Sequence, residues 1–146
     1  MPVGPARDML VIGSGQSDLE DRLGAVLAQS GRVIREDQSP EAGYFFRSDH
    51  FPLAKRGVPM LYIDNGQNLV AGGEAAGQAA EAAYRRDAYH QPADEYSDSW
   101  NMLGMTQDAA VLHRLGFDIA NSRAWPNYRP SSEFRGERDK SAARRR

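Results

Sequence analysis

The feature that most restricts the fold is a short apolar segment, Met9-Leu10-Val11-Ile12, which ends at Gly13-Ser14-Gly15. Four consecutive apolar residues followed by turn residues predict a buried strand. Directly after this turn, Ser17-Asp18-Leu19-Glu20 matches a capping box, the pattern that begins many helices. A second short strand is predicted at Arg32-Val33-Ile34-Arg35. The order strand, helix, strand indicates a layered α/β fold.

Three helices are predicted from the spacing of their apolar residues. The first has Leu19, Leu23, Val26 and Leu27 on one face, and Gly31 is expected to end it. An Ala-rich segment, residues 74–87, predicts the second helix. Residues 105–121 predict the third, and the residues expected on its buried face are Ala109, Leu112, Leu115, Gly116 and Ile119.

Residues 58–63 form the most apolar stretch of the chain and predict a central strand. Pro59 falls among its first residues, where a missing N–H donor is tolerated. A short helix is expected over residues 50–56, ended by Gly57. The polar segments 36–46 and 88–101, and the chain beyond Trp125-Pro126, are predicted to be irregular because they are rich in turn residues.

Length and composition exclude several classes of protein. A chain of 146 residues suits one domain with its own core, and a net charge of -2 gives no reason to expect a nucleic-acid partner. The absence of cysteine excludes disulfides and thiolate metal sites. The sequence shows neither a signal-peptide pattern nor an apolar run of about 20 residues, so it predicts a soluble chain without a membrane partner. Residues 139–146 are predicted to be a basic, disordered tail.

Two histidines lie in predicted loops, each beside aspartates and aromatic residues. His50 follows Asp49, and His90 precedes Asp94 by a few residues. If these loops converge with Asp64, their imidazole and carboxylate groups suit zinc, and a paired carboxylate would orient each imidazole ring. The spacing leaves other interpretations open, because Asp49 also suits the N-cap of the short helix and His90 also suits a turn in which it only packs.

Two further motifs resemble functional ones. Gly13-Ser14-Gly15 precedes a helix, as phosphate cradles do, but the glycines are explained equally by the tight turn. Ser48 beside Asp49 and His50 does not indicate a serine hydrolase, because sequence neighbours seldom have the geometry to relay a proton and the chain has no G-x-S-x-G motif. His113, within a predicted helix, is expected on the surface.

Longer phrases of the sequence resemble a known family. "GYFFRSDHFPLAKRGVPMLYI", followed by "YHQPADEY", "QDAAVLHRLGFDIAN" and "WPNY", resembles the carboxyl-terminal half of the M28 zinc metallopeptidases. This family includes aminopeptidases, glutamate carboxypeptidases and, more distantly, glutaminyl cyclases. The likeness runs from Val3 to Arg138, so residues 1–138 are expected to form the peptidase-like domain. It implies a partial three-layer α/β/α sandwich of the zinc exopeptidase type.

The resemblance also implies roles for individual residues. The family's site holds two zinc ions through a His, a bridging Asp, a Glu, a second Asp and a final His, with a further Glu as general base. His90, in "YHQPADE", matches the final zinc-ligating His. Asp94 is expected to orient His90 without touching the metal. The residues expected to bind or support the substrate are Arg47, Ser48, Asp49 and His50.

The other ligands and the catalytic base have no counterpart in the sequence. No Glu-Glu pair occurs, and Asp8 and Asp18 lie in the wrong context to replace the missing ligands. Because a catalytic zinc site normally needs three protein ligands, and loss of the base costs roughly 10²–10⁴-fold in rate, the chain alone is expected to be inactive, with no catalytic residue of its own.

The resemblance therefore predicts the C-terminal fragment of a zinc-dependent exopeptidase that hydrolyses peptide bonds with metal-activated water. Its expected partners are a peptide substrate and the missing N-terminal half, and many relatives are exported. Two alternatives stay open. One is a non-catalytic remnant that serves as a binding or interaction domain, and the other is a fragment of a glutaminyl-cyclase-like enzyme.

Overall fold

A computed structural model describes residues 3–145, which fold around a mixed three-stranded sheet. The strands are β1 (Asp8–Ile12), β2 (Val33–Glu36) and β3 (Tyr62–Asp64), in the spatial order β2-β1-β3. β1 pairs in parallel with β2, with Met9 opposite Ile34, and antiparallel with β3, with Val11 opposite Ile63. The predicted α/β class is confirmed.

The helices of the described range are α1 (Leu19–Ala28), α2 (Phe51–Ala54), α3 (Gly73–Asp87), α4 (Leu103–Ala120) and α5 (Arg135–Asp139). Three short 3-10 turns cover Pro40–Ala42, Tyr44–Arg47 and Ala142–Arg144. The three helices predicted from apolar spacing are confirmed by α1, α3 and α4, and the short helix predicted after His50 is confirmed by α2. Within residues 3–145, no helix combines the length and the apolar character that crossing a membrane requires.

One face of the sheet is covered by α1 and α4. Side chains alternate along a strand, so Met9 and Val11 of β1 point to this face, where they pack with buried residues of both helices. All four predicted core residues of α1 are buried, as the apolar spacing indicated.

The predicted buried face of α4 is right at Leu115 and Ile119, which contact the core, and wrong at the other three positions, Ala109, Leu112 and Gly116, which are exposed. The structure buries Gly104, Val111 and Leu115, whereas Leu112 is 43% exposed. The inward stripe also contains Asp108, whose carboxylate lies 2.7 Å from the buried guanidinium of Arg32. The spacing of apolar residues misplaced part of the face, because the charged Asp108 lies in the middle of the surface that α4 turns towards the core.

The opposite face of the sheet is covered by shorter pieces of chain. Leu10 and Ile12 pack there against Phe45, Tyr128 and Phe134. Tyr128 and Phe134 belong to the segment that was predicted to be irregular, yet both are buried and α5 follows them. Two reciprocal hydrogen bonds hold this C-terminal segment to the start of α1. The backbone N–H of Asp18 donates to Asn127 O at 3.0 Å, and the backbone N–H of Asn127 donates to the Asp18 carboxylate at 2.9 Å.

The strand predicted over residues 58–63 forms only at its end, and its predicted central position is wrong. β3 begins only at Tyr62 and lies at the edge of the described sheet, with β1 at its centre. The preceding residues bond to side chains instead of to a neighbouring strand. The Tyr128 hydroxyl donates to Val58 O, and the Ser17 hydroxyl donates to Met60 O at 3.4 Å.

The capping box forms in part. The Glu20 carboxylate accepts the backbone N–H groups of Gly15, Gln16 and Ser17 at 2.8–3.2 Å, which fixes the turn after β1. The Ser17 side chain turns away towards Met60 and makes no cap bond to the helix. The turn therefore links β1, α1 and the segment before β3.

Candidate functional site

A cavity of about 560 Å³ lies on the face of the sheet that carries Leu10 and Ile12. Its floor is formed by these two residues and by Tyr62 and Asp64 of β3. Its walls come from α3 and the turn after it, from residues 37–44 after β2, and from the loop after β3. A mostly pre-formed concavity of this volume is the usual size for a small-ligand site.

Two glycines bring the loop after β3 close to its neighbours, Gly77 to α3 and Gly66 to β1. A Cβ atom on Gly77 of α3 would lie 2.0 Å from Gln67 O, and one on Gly66 would lie 2.1 Å from Asp8 O. Neither contact is possible for a larger residue, so the backbones approach closely only because both positions are glycine. This close approach positions the cavity wall.

Asp8 organises the same region. Its carboxylate accepts the backbone N–H of Asn68 at 2.9 Å and pairs with Arg35 at 3.2 Å. Arg35 also reaches Glu74 in the first turn of α3 at 3.0 Å. Asp8 is thus bound to structural partners, and Asp18 is likewise bonded to the backbone of Asn127.

His90 lies at the rim of the cavity, next to a tyrosine pair that forms part of its wall. Tyr84 and Tyr89 both line the cavity, and their ring centroids are 5.9 Å apart. The exposed His90 ring stacks on Tyr89 with a centroid distance of 3.9 Å. The Tyr84 hydroxyl donates to the Asp94 carboxylate at 2.9 Å, and this hydrogen bond raises the pKa of Tyr84.

The backbone of His90 is strained. Among the described residues other than glycine, only His90 has a positive φ angle, which is 57°. The left-handed conformation costs an L-residue roughly 1–2 kcal/mol, and such outliers cluster at functional sites. Glycine would adopt this conformation with less strain.

The segment with the predicted substrate-binding residues lies beside the cavity and contacts it through Tyr44. The Ser48 hydroxyl donates to Tyr44 O at 2.7 Å, and the Arg47 guanidinium lies 4.9 Å from the centroid of the Tyr44 ring. Tyr44 lines the cavity, whereas Asp49 is exposed. Arg85 of α3 donates to the Tyr44 hydroxyl from the other wall.

His50 is packed among aromatic rings. Its ring centroid lies 4.7 Å from that of Phe45 and 5.1 Å from that of Tyr62. Its buried Nε2 has no hydrogen-bond partner within residues 3–145, and burial lowers its pKa. His50 also occupies the N-cap position of α2, so the interpretation of Asp49 as that cap is wrong.

The described residues do not bring the predicted imidazole and carboxylate groups together as a metal site. Across residues 3–145, no group of three or more His, Asp or Glu side chains is placed to hold a metal ion. His90 and Asp94 both contact the Tyr84–Tyr89 pair, but Asp94 bonds to Tyr84 and no bond joins it to His90 in the described range. Their assignment as metal ligand and orienting residue stays a prediction.

Sequence reasoning missed most of the cavity wall. Tyr44, Tyr62, Tyr84 and Arg85 had no place in the predicted site, although all of them line the cavity. One signal was available, because Glu81 and Arg85 are spaced as an i, i+4 pair and form an ion pair at 2.7 Å. That pattern identifies a helix surface, but it does not show that the surface faces a cavity.

Comparison with protein families gives one match. The model of peptidase family M28 matches residues 2–113. This range contains the cavity, the segment around His50 and the turn that carries His90. Searches of curated proteins and of solved structures gave no significant match.

Proposed function

The chain belongs to peptidase family M28, and on that premise we propose that it forms the substrate-binding side of a zinc-dependent exopeptidase that hydrolyses peptide bonds with metal-activated water. The observation that carries this proposal is the position of His90. This residue holds a strained backbone conformation at the rim of a cavity, and its ring stacks on a tyrosine of the cavity wall.

Zinc is the metal that family membership implies, and its fit to this chain can be judged from the donors present. The described residues contain no group of three donors, so they do not complete a metal centre by themselves. We therefore assign no catalytic step to this chain alone, and we propose His90 as one ligand among donors supplied by other polypeptide. The chain alone is expected to be inactive.

Under this proposal the segment around His50 supports the substrate side of the site. Arg47 and Ser48 both contact Tyr44, and His50 contacts Tyr62, so each acts on the cavity through a tyrosine that lines it. We propose that these residues position the two tyrosines. Asp49, which is exposed, is the member of the segment with the least support for this role.

The test is reconstitution of the missing donors. The chain is mixed or co-expressed with a polypeptide that carries H-x-D, a Glu-Glu pair and a further Asp, and bound zinc and hydrolysis of aminoacyl p-nitroanilides are measured. The pair is expected to bind zinc and to turn over, and His90→Ala is expected to abolish both. His113→Ala, on the exposed surface of α4, is the matched control and should leave both unchanged. Activity that survives His90→Ala would contradict the assignment.

A second candidate function is peptide binding without catalysis. It is favoured by a cavity whose lining comes from this chain, together with the lack of a three-donor group in the described range. Stoichiometric zinc with turnover by the chain alone would eliminate this candidate and would also contradict the expected inactivity. Product analysis with an N-terminal glutaminyl peptide distinguishes a cyclase from a peptidase.

A further inference from the structure

We propose that the cavity selects peptides with a lysine or arginine side chain and rejects acidic ones. This inference rests on the proposed function, because it takes the cavity to be the substrate site of the exopeptidase. It concerns the chemistry of the cavity lining, which the described residues supply without any metal.

The first observation is an excess of negative charge. Four carboxylates line the described cavity, those of Asp37, Glu41, Asp64 and Glu81, against the single guanidinium of Arg85. Arg85 pairs with Glu81 at 2.7 Å. The other three form no ion pair within residues 3–145, so the cavity focuses a negative potential on its interior.

Two of these three carboxylates are hydrogen-bonded to neutral backbone amides. Asp37 accepts the backbone N–H of Ser39 at 2.9 Å, and Asp64 accepts the backbone N–H of Asn65 at 2.7 Å. Hydrogen bonds from neutral amides do not cancel a carboxylate charge. A ligand that brings its own cation is therefore favoured, and a ligand that brings another carboxylate meets like charges.

The second observation is the aromatic wall. Tyrosine rings attract ammonium and guanidinium groups through their π faces, at distances up to about 6 Å from the ring centroid. The protein already shows this interaction at Tyr44, where the guanidinium groups of Arg85 and Arg47 lie 5.3 and 4.9 Å from the ring centroid. The other three tyrosines that line the cavity, two in its wall and Tyr62 in its floor, provide further surfaces of the same kind.

The third observation is the apolar floor. Leu10 and Ile12 lie at the base of the cavity, between the polar walls. A lysine or arginine side chain has an apolar stem and a charged end, so it can place its methylene groups on these residues while its charge reaches the carboxylates. A volume of about 560 Å³ is sufficient for such a side chain together with part of the peptide.

The experiment uses the intact chain and three tripeptides that differ in one side chain: Lys-Ala-Ala, norleucine-Ala-Ala and Glu-Ala-Ala. Norleucine has nearly the shape of lysine without the charge. Binding is measured by calorimetry or by NMR titration at low ionic strength. We expect the lysine peptide to bind about tenfold more tightly than the norleucine peptide, and the glutamate peptide to bind most weakly.

Substitutions then locate the selectivity. Glu41→Gln with Asp64→Asn removes two exposed carboxylates from the cavity and should bring the lysine and norleucine affinities within about twofold of each other. Asp98→Asn removes an exposed carboxylate that does not line the cavity and should leave the ratio unchanged. Circular dichroism checks that each variant is folded.

Several results would overturn the inference. Equal affinity for the lysine and norleucine peptides, tightest binding of the glutamate peptide, or no binding of any peptide would each do so. The reconstitution test with His90→Ala is independent of these outcomes, because it measures bound zinc and turnover and not peptide selectivity. Failure of that test would reject the proposed function while the peptide selectivity of the cavity is measured separately.

Discussion

The two faces of the sheet differ in what they do, although the same strand supplies both. Met9 and Val11 of β1 point into a dry layer formed with α1 and α4. Leu10 and Ile12, their direct neighbours, point to the other face, where they form part of an aromatic cluster and the floor of the cavity. The alternation of side chains along one strand therefore separates the packed face from the face that carries the cavity.

The chemistry of the two faces differs accordingly. The packed face carries one deeply placed ion pair, between Arg32 and Asp108, within apolar surroundings. The cavity face carries tyrosines, carboxylates and a strained histidine. We expect substitutions on the packed face to change stability strongly, and substitutions of the exposed residues that line the cavity to change stability little while they alter binding.

The largest effect is expected at the centre of the packed face. Leu27→Ala removes a side chain that is 0% exposed and should lower the free energy of unfolding by about 2–5 kcal/mol, because it leaves a cavity in the core. Urea denaturation measures the change. Leu112→Ala, on the exposed side of α4, is the matched control, with an expected change of about 0.5 kcal/mol or less. Equal losses for the two variants would show that α4 packs differently.

The next effect is expected at the ion pair. Asp108→Ala leaves the Arg32 guanidinium buried without its carboxylate and should cost about 3 kcal/mol of unfolding free energy. Asp118→Ala removes a carboxylate from an exposed pair with Arg114 on the same helix and should cost about 0.5 kcal/mol. If chemical denaturation gives the same loss for both, the buried pair does not set the orientation of α4.

A smaller effect of opposite sign is expected at the rim of the cavity. His90→Gly relieves the left-handed strain and should raise the free energy of unfolding by about 0.5–1 kcal/mol, after the entropy cost of glycine is included. Gln91→Gly, at the next position, gains no relief and should be neutral or destabilising. A destabilised His90→Gly variant would mean that the stacking on Tyr89 outweighs the strain.

The smallest effect is a pH dependence at His50. Burial lowers the pKa of this ring below its ordinary value of 6.5, so the folded state binds a proton less readily than the unfolded state. Its contribution to stability should be complete above pH 6.5 and should be lost as the pH falls from 6.5 to the lower folded pKa. His50→Phe should flatten thermal-melting profiles in this range, and His113→Phe should not. If melting temperature depends on pH as steeply in His50→Phe as in the unchanged protein, a group other than His50 causes the pH dependence.

The parts of the fold that local patterns determine were predictable. β1 and α1 were recognised because their apolar spacing and the turn between them agree with each other. The face of α4 was misassigned because Asp108 points inward to a residue 76 positions away. The strand predicted over residues 58–63 failed for a similar reason, since side chains of Ser17 and Tyr128 bond its carbonyl groups.

The site was predictable only in outline. The resemblance to the family drew attention to His90 and to the segment around His50, and both lie beside the cavity. The cavity itself was missed because its wall is assembled from separate segments, and nothing in the spacing of Tyr44, Tyr62 and Tyr84 shows that they meet. The bond between Tyr84 and Asp94 likewise depends on the conformation of the turn after α3.

The bonds that join Asn127 to Asp18 show that the packed structure continues beyond the boundary drawn by family similarity. The matched region stops at residue 113, inside α4, whereas the ring of Tyr128 fills the space beneath Leu10 and Ile12. A chain trimmed to residues 2–113 would lose the last seven residues of α4 and expose that apolar surface to water. Engineering of this domain should therefore keep the sequence through at least Arg138, whose guanidinium donates to Pro126 O at 2.6 Å.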